Sequence, residues 1–394
     1  MTKRRIAVVT TSRADYGIFR PLLVRLRDDA RVDLRIVATG MHLLPEYGST
    51  YRQIEADGFS IDVKLPMLLA SDDGASLTKS VGVGLIGLAD AFRAIAPDIV
   101  VVLGDRFEIL SVAITALLEG IPLAHLHGGE RTEGAIDESI RHAVTKMSHL
   151  HFVAAEEYRD RVIQLGEDSS RVFHVGAPGL DNVVGATLPT LEALAGRVGR
   201  KLERPLFLVT FHPATLERGV SSEEAIARVF RALDIFPDGT VVMTKSNADE
   251  GGRAYGVAMD AYAAKRSDRV VVHASLGVET YLGLAKAADV VIGNSSSGLI
   301  EVPVLGTPTV NVGARQAGRL RAPSVIDCTN ETDDIVAAIK RAQTPAFREL
   351  ARRGVSPYRA PGGGQASEKI AETLITVPLV GILTKKFHDM DRGR

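Results

Sequence analysis

Uninterrupted apolar runs recur along this chain at regular spacing, and they constrain its fold more than any other feature. Ile99-Val100-Val101-Val102-Leu103 offers no polar residue to either face of a strand. A strand of that kind must be covered on both sides, as in a parallel sheet sandwiched between helices. Comparable runs lie at Ile6–Val9, Leu34–Ala38, Pro122–Leu126 and Leu150–Val153, with helical patterns at Tyr16–Arg27, Leu85–Ile95 and Glu108–Leu118 between them. The second half repeats the alternation. Its strands are Leu206–Val209, Thr240–Met243, Val270–Val272, Val290–Ile292 and Thr309–Val312, and its helices Glu223–Leu233, Val257–Ala264, Val278–Ala287 and Ile335–Ala342. This pattern predicts an α/β fold of two Rossmann-like, doubly wound domains facing a cleft.

A chain of 394 residues exceeds one ordinary core and suits two domains of roughly 150–200 residues each. The stretch 176–205, rich in Gly, Pro and charge, separates the halves and holds a short helix at Leu191–Ala195. We place an N-terminal domain at 1–180, a C-terminal domain at 181–365 and a C-terminal helix and tail at 366–394. The tail's helical pattern spans 365–377, stops at Pro378 and is expected to pack back on the N-terminal domain.

A formal net charge of −1 gives no basic footprint for nucleic acid. The single cysteine, Cys328, rules out an internal disulfide and fits a reducing, cytoplasmic setting. No zinc-ligand spacing appears, and no metal or other cofactor is expected. The basic start Lys3-Arg4-Arg5 is followed by an apolar run too short for a signal peptide, which reads as the first strand. No stretch reads as long and apolar enough to span a membrane.

In open parallel sheets, ligands bind beyond the carboxyl ends of the strands, so the residues after each run are the candidates. After the first run comes Thr10-Thr11-Ser12-Arg13-Ala14-Asp15-Tyr16-Gly17. This is either a capped turn with a solvated Arg13, or an anion site in which Arg13 and a helix N-terminus hold phosphate. It lacks the G-x-G-x-x-G fingerprint of dinucleotide sites. After Leu103 comes Gly104-Asp105-Arg106-Phe107-Glu108, where Asp105 is either a general acid or base, or the cap of the next helix.

After Leu126 comes His127-Gly128-Gly129-Glu130-Arg131-Thr132-Glu133, then Asp137-Glu138 at the start of a helix with Ile140, Ala143, Val144 and Met147 on its apolar face. Capping and the helix dipole account for Asp137 and Glu138, but not for the ionisable cluster of His127, Glu130 and Glu133 before them. That cluster favours chemistry. In the second half, His212 follows a strand, where it can donate to phosphate or move a proton near neutral pH. Gly293-Asn294-Ser295-Ser296-Ser297-Gly298 follows another strand and opens a helix. An N-cap needs one serine, so three read as an anion cradle of hydroxyls and backbone N–H groups. Glu301, one turn on, suits ribose hydroxyls, and Arg315 after the next strand suits the same ligand.

These motifs together resemble the hydrolysing UDP-N-acetylglucosamine 2-epimerases of the sialic- and legionaminic-acid branch. The resemblance rests on Ser-Arg-Ala-Asp-Tyr-Gly at 12–17, Gly-Asp-Arg-Phe-Glu at 104–108, His-Gly-Gly-Glu at 127–130 and Ile-Asp-Glu-Ser-Ile-Arg-His at 136–142. It continues through His-Pro-Ala-Thr at 212–215, Asn-Ala-Asp-Glu-Gly-Gly at 247–252, Gly-Asn-Ser-Ser-Ser-Gly at 293–298 and Gly-Thr-Pro at 306–308. It implies the glycosyltransferase-B architecture, with a UDP-sugar in the cleft and a homodimer.

The implied reaction converts UDP-N-acetylglucosamine and water to N-acetylmannosamine and UDP, by anti elimination to a 2-acetamidoglucal and then hydration. The resemblance places acid/base groups at Asp105 and Asp137. It places phosphate contacts at His212, Ser295 and Ser296, with Ser297 and Gly298 alongside, and other substrate contacts at Arg13, Arg106, Glu301 and Arg315. Many relatives, chiefly non-hydrolysing ones, carry a catalytic glutamate where this chain has His127. Glu130 or His127 itself is the candidate for that role. Three other readings stand beside this one. They are the same reaction on UDP-2,4-diacetamido-2,4,6-trideoxyglucose, a non-hydrolysing 2-epimerase, and a glycosyltransferase or nucleotide-sugar-binding protein on the same fold.

Overall fold

The computed structural model describes residues 3–389 except 72, 134, 185–186, 214–220 and 246–251. The chain forms two compact units. One comprises 1–130, 137–182 and 358–394, and the other 131–136 and 183–357. The chain thus leaves the first unit after Asn182 and re-enters it at Tyr358, ahead of the boundary expected at 366. The segment Arg131–Ile136, expected in the N-terminal domain, belongs to the second unit, where the Glu133 N–H donates to the Ala317 carbonyl at 3.2 Å.

The first unit holds a parallel sheet of seven strands. They are β1 (Arg4–Thr10), β2 (Val32–Thr39), β3 (Val63–Leu65), β4 (Ile99–Leu103), β5 (Leu123–Leu126), β6 (Leu150–Val153) and β7 (Val172–His174), in the order β3-β2-β1-β4-β5-β6-β7. All five residues of β4 are buried, as its unbroken apolar run requires. Ile6, Val8, Phe19, Leu23, Ile99 and Val101 pack in the core on one face, and Ala7, Val9, Val100, Val102, Leu88 and Phe92 on the other. The helix Ala366–Thr376 adds Ile370 and Leu374 to the first of these cores. Asp181 fixes its start, accepting from the N–H groups of Ala366 at 3.1 Å and Ser367 at 2.7 Å.

The second unit holds a parallel sheet of six strands. They are β8 (Leu206–Thr210), β9 (Thr240–Thr244), β10 (Val270–His273), β11 (Val290–Gly293), β12 (Thr309–Val312) and β13 (Val325–Cys328), in the order β10-β9-β8-β11-β12-β13. The two-domain α/β expectation therefore holds. In each sheet the strand order reverses once, between β1 and β4 and between β8 and β11, and a crevice opens at the carboxyl ends of those strands.

The membrane expectation needs correction. The helix Gly74–Ile95 has 22 residues and holds an 18-residue window of mean hydropathy 1.2, which is long and apolar enough to cross a membrane by length and composition alone. Its glycines and hydroxyl residues interrupt the apolar run, so only Leu85–Ile95 reads as helical in the sequence. Leu88, Phe92 and Ile95 are buried in the sheet's core.

Candidate active site

At the end of β1 the structure favours the capped turn. Ser12 caps the helix Arg13–Asp28, and Asp15 answers it in a capping box. The Asp15 carboxylate, 5% exposed, also accepts from Thr10 Oγ1 at 2.9 Å and from the Thr11 and Ser12 N–H groups at 2.7 and 2.8 Å. Asp15 thereby fixes the turn after β1 that carries Arg13, which is half-buried.

Asp105 stands at the tip of β4, directly after Gly104, which takes a left-handed φ of +76°. It does not cap the following helix, because Arg106 occupies the cap position. Instead Asp105 Oδ2 pairs with Nη2 of Arg141, a fully buried arginine. Arg106 turns to the buried Glu108, its Nη2 at 3.1 Å from Oε1.

Arg141 comes from the helix Asp137–Met147, whose expected stripe holds at Ile140, Val144 and Met147, which pack on the core, and fails at Ala143. Arg141, Val144 and Thr145 are buried, whereas Ala143 is exposed. The guanidinium also donates through Nη1 to Glu138 Oε2 at 2.8 Å and to the Glu130 carbonyl at 2.9 Å. Asp137 opens the same helix, one turn before Arg141.

The loop after β5 is tightly specified. His127 takes a left-handed φ of +63°, a conformation that costs a residue with a Cβ about 1–3 kcal/mol and persists where the surroundings impose it. Its Nδ1 meets Glu130 Oε1 at 2.5 Å, and both side chains are buried. His127 Nε2 is buried and makes no hydrogen bond. Gly129 must be glycine, since at φ +76° a Cβ would overlap the Tyr158 carbonyl oxygen. Behind this loop His125 sits fully buried between Gly104 O at 2.7 Å and Thr145 Oγ1 at 3.2 Å. Burial pulls its pKa down to about 3, so the ring is neutral at physiological pH. Nε2 then donates to Gly104 O and Nδ1 accepts from Thr145, which steadies the peptide just before Asp105.

In the second unit, Asn294 locks the ends of β8 and β11 together. Its Oδ1 accepts from the His212 N–H at 2.7 Å, and its Nδ2 donates to the His212 carbonyl at 2.8 Å. The Asn294 carbonyl accepts from Gln316 at 2.8 Å and from Arg315 Nη1 at 3.2 Å. His212, Asn294 and Arg315 are thus one connected group. Gly293, at φ +140°, passes so close to β8 that a Cβ would overlap the Thr210 carbonyl oxygen.

The helix Ser297–Leu305 begins at the third serine, and Ser296 at its N-cap makes no side-chain capping bond. The Gly298 N–H donates to the Ser295 carbonyl at 3.1 Å, and a Cβ there would press on Thr309 at 3.0 Å, so Gly298 allows close helix–strand packing. Glu301 lies one turn on, 9% exposed. Residues 214–215 and 247–251 of the motifs lie outside the described residues.

Sequence reasoning missed Arg141 and the locking role of Asn294. Arg141 lies four residues after Asp137, on the side of the helix that carries Val144 and Thr145, and a cation at that spacing between two acidic clusters was the available signal.

Two Rossmann-like units, each with ionisable or hydroxyl-bearing residues at its strand reversal, form an architecture used by enzymes that handle nucleotide-linked substrates. The chain belongs to the UDP-N-acetylglucosamine 2-epimerase family, whose model matches residues 24–375. It is 42% identical to the GDP/UDP-N,N'-diacetylbacillosamine 2-epimerase (hydrolyzing) of Campylobacter jejuni, covering 89% of this chain and 90% of that one. It is 36% identical to the UDP-N,N'-diacetylbacillosamine 2-epimerase (hydrolyzing) of Legionella pneumophila, covering 95% and 97%. In fold it is similar to the crystal structure of the UDP-GlcNAc 2-epimerase of Neisseria meningitidis bound to UDP-GlcNAc, with a TM-score of 0.74 at 17% identity over 94% of this chain and 99% of that one.

Proposed function

We propose that this protein is a hydrolysing 2-epimerase of a UDP-linked 2-acetamido sugar. A base takes the C2 proton while the C1–O bond breaks, so the electron pair forms the C1–C2 double bond and UDP leaves. Water then adds its oxygen at C1, and a proton returns to C2 from the opposite face. The free, C2-inverted sugar and UDP are the products.

The observation that carries this reading is the acid/base group on adjacent strand ends of the first unit. Asp105 follows β4, the His127–Glu130 pair follows β5, and Arg141 bonds both to Asp105 and to the Glu130 backbone. Asp105 and Asp137 act as acid/base groups. His127, oriented by Glu130, supplies the third, in place of the family's commoner glutamate. In the second unit the serines at 295–297 and His212 hold the diphosphate, whose developing charge needs fixed donors. Glu301, Arg315, Arg13 and Arg106 contact the nucleotide or the sugar.

The names of the two bacterial relatives favour a 2,4-diacetamido-2,4,6-trideoxy sugar over N-acetylglucosamine. The same names favour hydrolysis over return of a nucleotide sugar. Homodimerisation and a cytoplasmic location belong to this reading.

Proton NMR in deuterated water tests it. UDP-N,N'-diacetylbacillosamine, its GDP analogue and UDP-N-acetylglucosamine are each incubated with the full chain. Release of a free 2-acetamido sugar deuterated at C2 is expected, fastest from a diacetamido substrate. Unlabelled sugar, or only a labelled nucleotide sugar, would refute the mechanism. Asp105→Asn and Asp137→Asn should each lower turnover about 100-fold or more while UDP affinity stays within about threefold. Unchanged turnover in both would remove these residues from the reaction.

A further inference from the structure

We propose that Arg141 is a positioning residue of this reaction, whose buried guanidinium keeps Asp105 ionised and oriented as a proton acceptor. The inference rests on the 2-epimerase reading above and assigns a role within the first unit's acid/base group.

A guanidinium remains protonated in proteins, and burying one costs several kcal/mol unless its donors are paired. Arg141 is 0% exposed and bonds to acceptor oxygens from three separate segments. These are Asp105 after β4, Glu138 at 2.8 Å on its own helix, and the Glu130 carbonyl at 2.9 Å in the loop after β5. Helix geometry sets this up. Asp137 and Glu138 occupy the first turn, and a long side chain one turn later leans back toward that turn and the strand ends beyond it.

The cation is shut away from water, but the carboxylates are not. Asp105 and Glu138 keep 18% and 26% of their side chains exposed. A charge-assisted bond on the buried side therefore leaves Asp105 a face for a ligand. The other ionisable groups near Asp105 have pairings of their own. Arg106 meets Glu108 at 3.1 Å, His142 meets Glu138 at 3.0 Å, and Glu130 meets His127 at 2.5 Å. His125, whose field also reaches Asp105, is neutral because burial holds its pKa near about 3. Arg141 is thus a cation in direct contact with Asp105, and an adjacent cation lowers a carboxylate's pKa by about 1–3 units. A carboxylate held in that way stays in its unprotonated, acceptor form at neutral pH, as a weaker base than a free carboxylate, and is not available as a proton donor. The donor's part then falls to Asp137 or to the His127–Glu130 pair.

The test compares Arg141→Lys, Arg141→Gln and Arg141→Ala with the unaltered full chain, using whichever nucleotide sugar that chain turns over. Removing the charge should lower kcat about 100-fold or more, leave KM and UDP affinity within about threefold, and move the acid limb of the kcat/KM profile up by about one pH unit or more. Arg141→Lys keeps the charge and should keep the acid limb in place with a smaller loss in kcat. Added guanidinium chloride at millimolar concentration should restore part of kcat in Arg141→Ala. An unmoved acid limb in Arg141→Gln together with no rescue of Arg141→Ala would make Arg141 merely structural and overturn the proposal. Should neither neutral variant fold, Glu138→Gln decides. Removing the competing carboxylate should move the acid limb to lower pH, and an unmoved limb overturns the proposal. If the unaltered chain labels no sugar at C2, the 2-epimerase reading fails and takes this inference with it. If it does label sugar, a negative result falls on Arg141 alone.

Discussion

Asn294→Ala is the most exacting test of the second unit's geometry. The Asn294 side chain is 2% exposed and answers both backbone groups of His212, at 2.7 and 2.8 Å. Its orientation is not in doubt, because an N–H needs the amide oxygen and a carbonyl needs the amide NH2. Alanine removes the amide from both buried His212 backbone groups. Each lost partner costs about 1–3 kcal/mol, so the expected loss is about 2–6 kcal/mol, with the lower end applying if water enters the gap. The chain has no tryptophan, so urea unfolding is followed by far-UV circular dichroism. Hydrogen exchange at the β8 and β11 amides shows whether the loss lies in the second unit, since two units need not unfold as one. UDP affinity should fall with it, because His212 and the serines after Asn294 lose their common anchor. Asn294→Asp sharpens the test. An ionised carboxylate sets an oxygen against the His212 carbonyl, whereas a protonated one restores a donor. Its stability relative to the unaltered chain should therefore improve as pH falls toward 5. A loss below about 1 kcal/mol in Asn294→Ala, with a pH-independent Asn294→Asp, would refute the strand-locking role.

Gly129→Ala should destabilise the first unit by about 2 kcal/mol or more, since φ +76° and the Tyr158 carbonyl both exclude a Cβ; a smaller change in urea midpoint would contradict this. Acid should weaken the same unit from pH 6.5 downward. Burial holds His125 near about 3 and His149 near about 4, so the unfolded chain binds protons first, and stability present above pH 6.5 is lost as pH falls toward those values. Glu167 extends the loss. Burial pushes its pKa up, but hydrogen bonds and charge from His151, Lys146 and Lys385 outweigh this and hold it near about 2, so its contribution disappears between pH 4.5 and 2. A melting temperature that stays level between pH 7 and pH 4 would contradict the histidine statement, and one that stays level between pH 4.5 and pH 2 the Glu167 statement.

Much of this fold was legible because doubly buried strands leave unbroken apolar runs. The strands that escaped notice were β3, β7 and β13, all at sheet edges. An edge strand is covered less completely, so Val63-Lys64-Leu65 and Val325-Ile326-Asp327-Cys328 carry polar residues and leave no run to read. The site was legible where a strand's end names the next residue, as at Asp105, His127, His212 and Ser295. It was not legible where function depends on partners far apart in sequence. Arg141 reaches a carboxylate 36 positions away, and Asn294 reaches a backbone 82 positions away. Arg141 also interrupts a helix face that hydrophobic periodicity would fill with an apolar residue.

The two strand reversals are built from opposite materials, and electrostatics gives the reason. The first is ionic: Asp105, Glu138 and Arg141 form one connected group, with a buried cation balancing carboxylates. Such a group suits protons in motion, because its carboxylates keep exposed faces beside a buried cation. The second uses neutral donors at its centre: the Asn294 amide, the serines at 295–297 and a helix N-terminus, with Arg315 at the margin. A diphosphate gains from that arrangement and would be repelled by carboxylates at the same spot. Under the proposed function, the unit that moves protons and the unit that holds the leaving group have distinct requirements, and each strand reversal carries the residue types that suit one of them. Exchanging them should fail in a directed way. A carboxylate placed among the serines, as in Ser296→Asp, should weaken UDP binding about tenfold or more without moving the acid limb of kcat/KM, because the charge that sets Asp105 lies in the first unit.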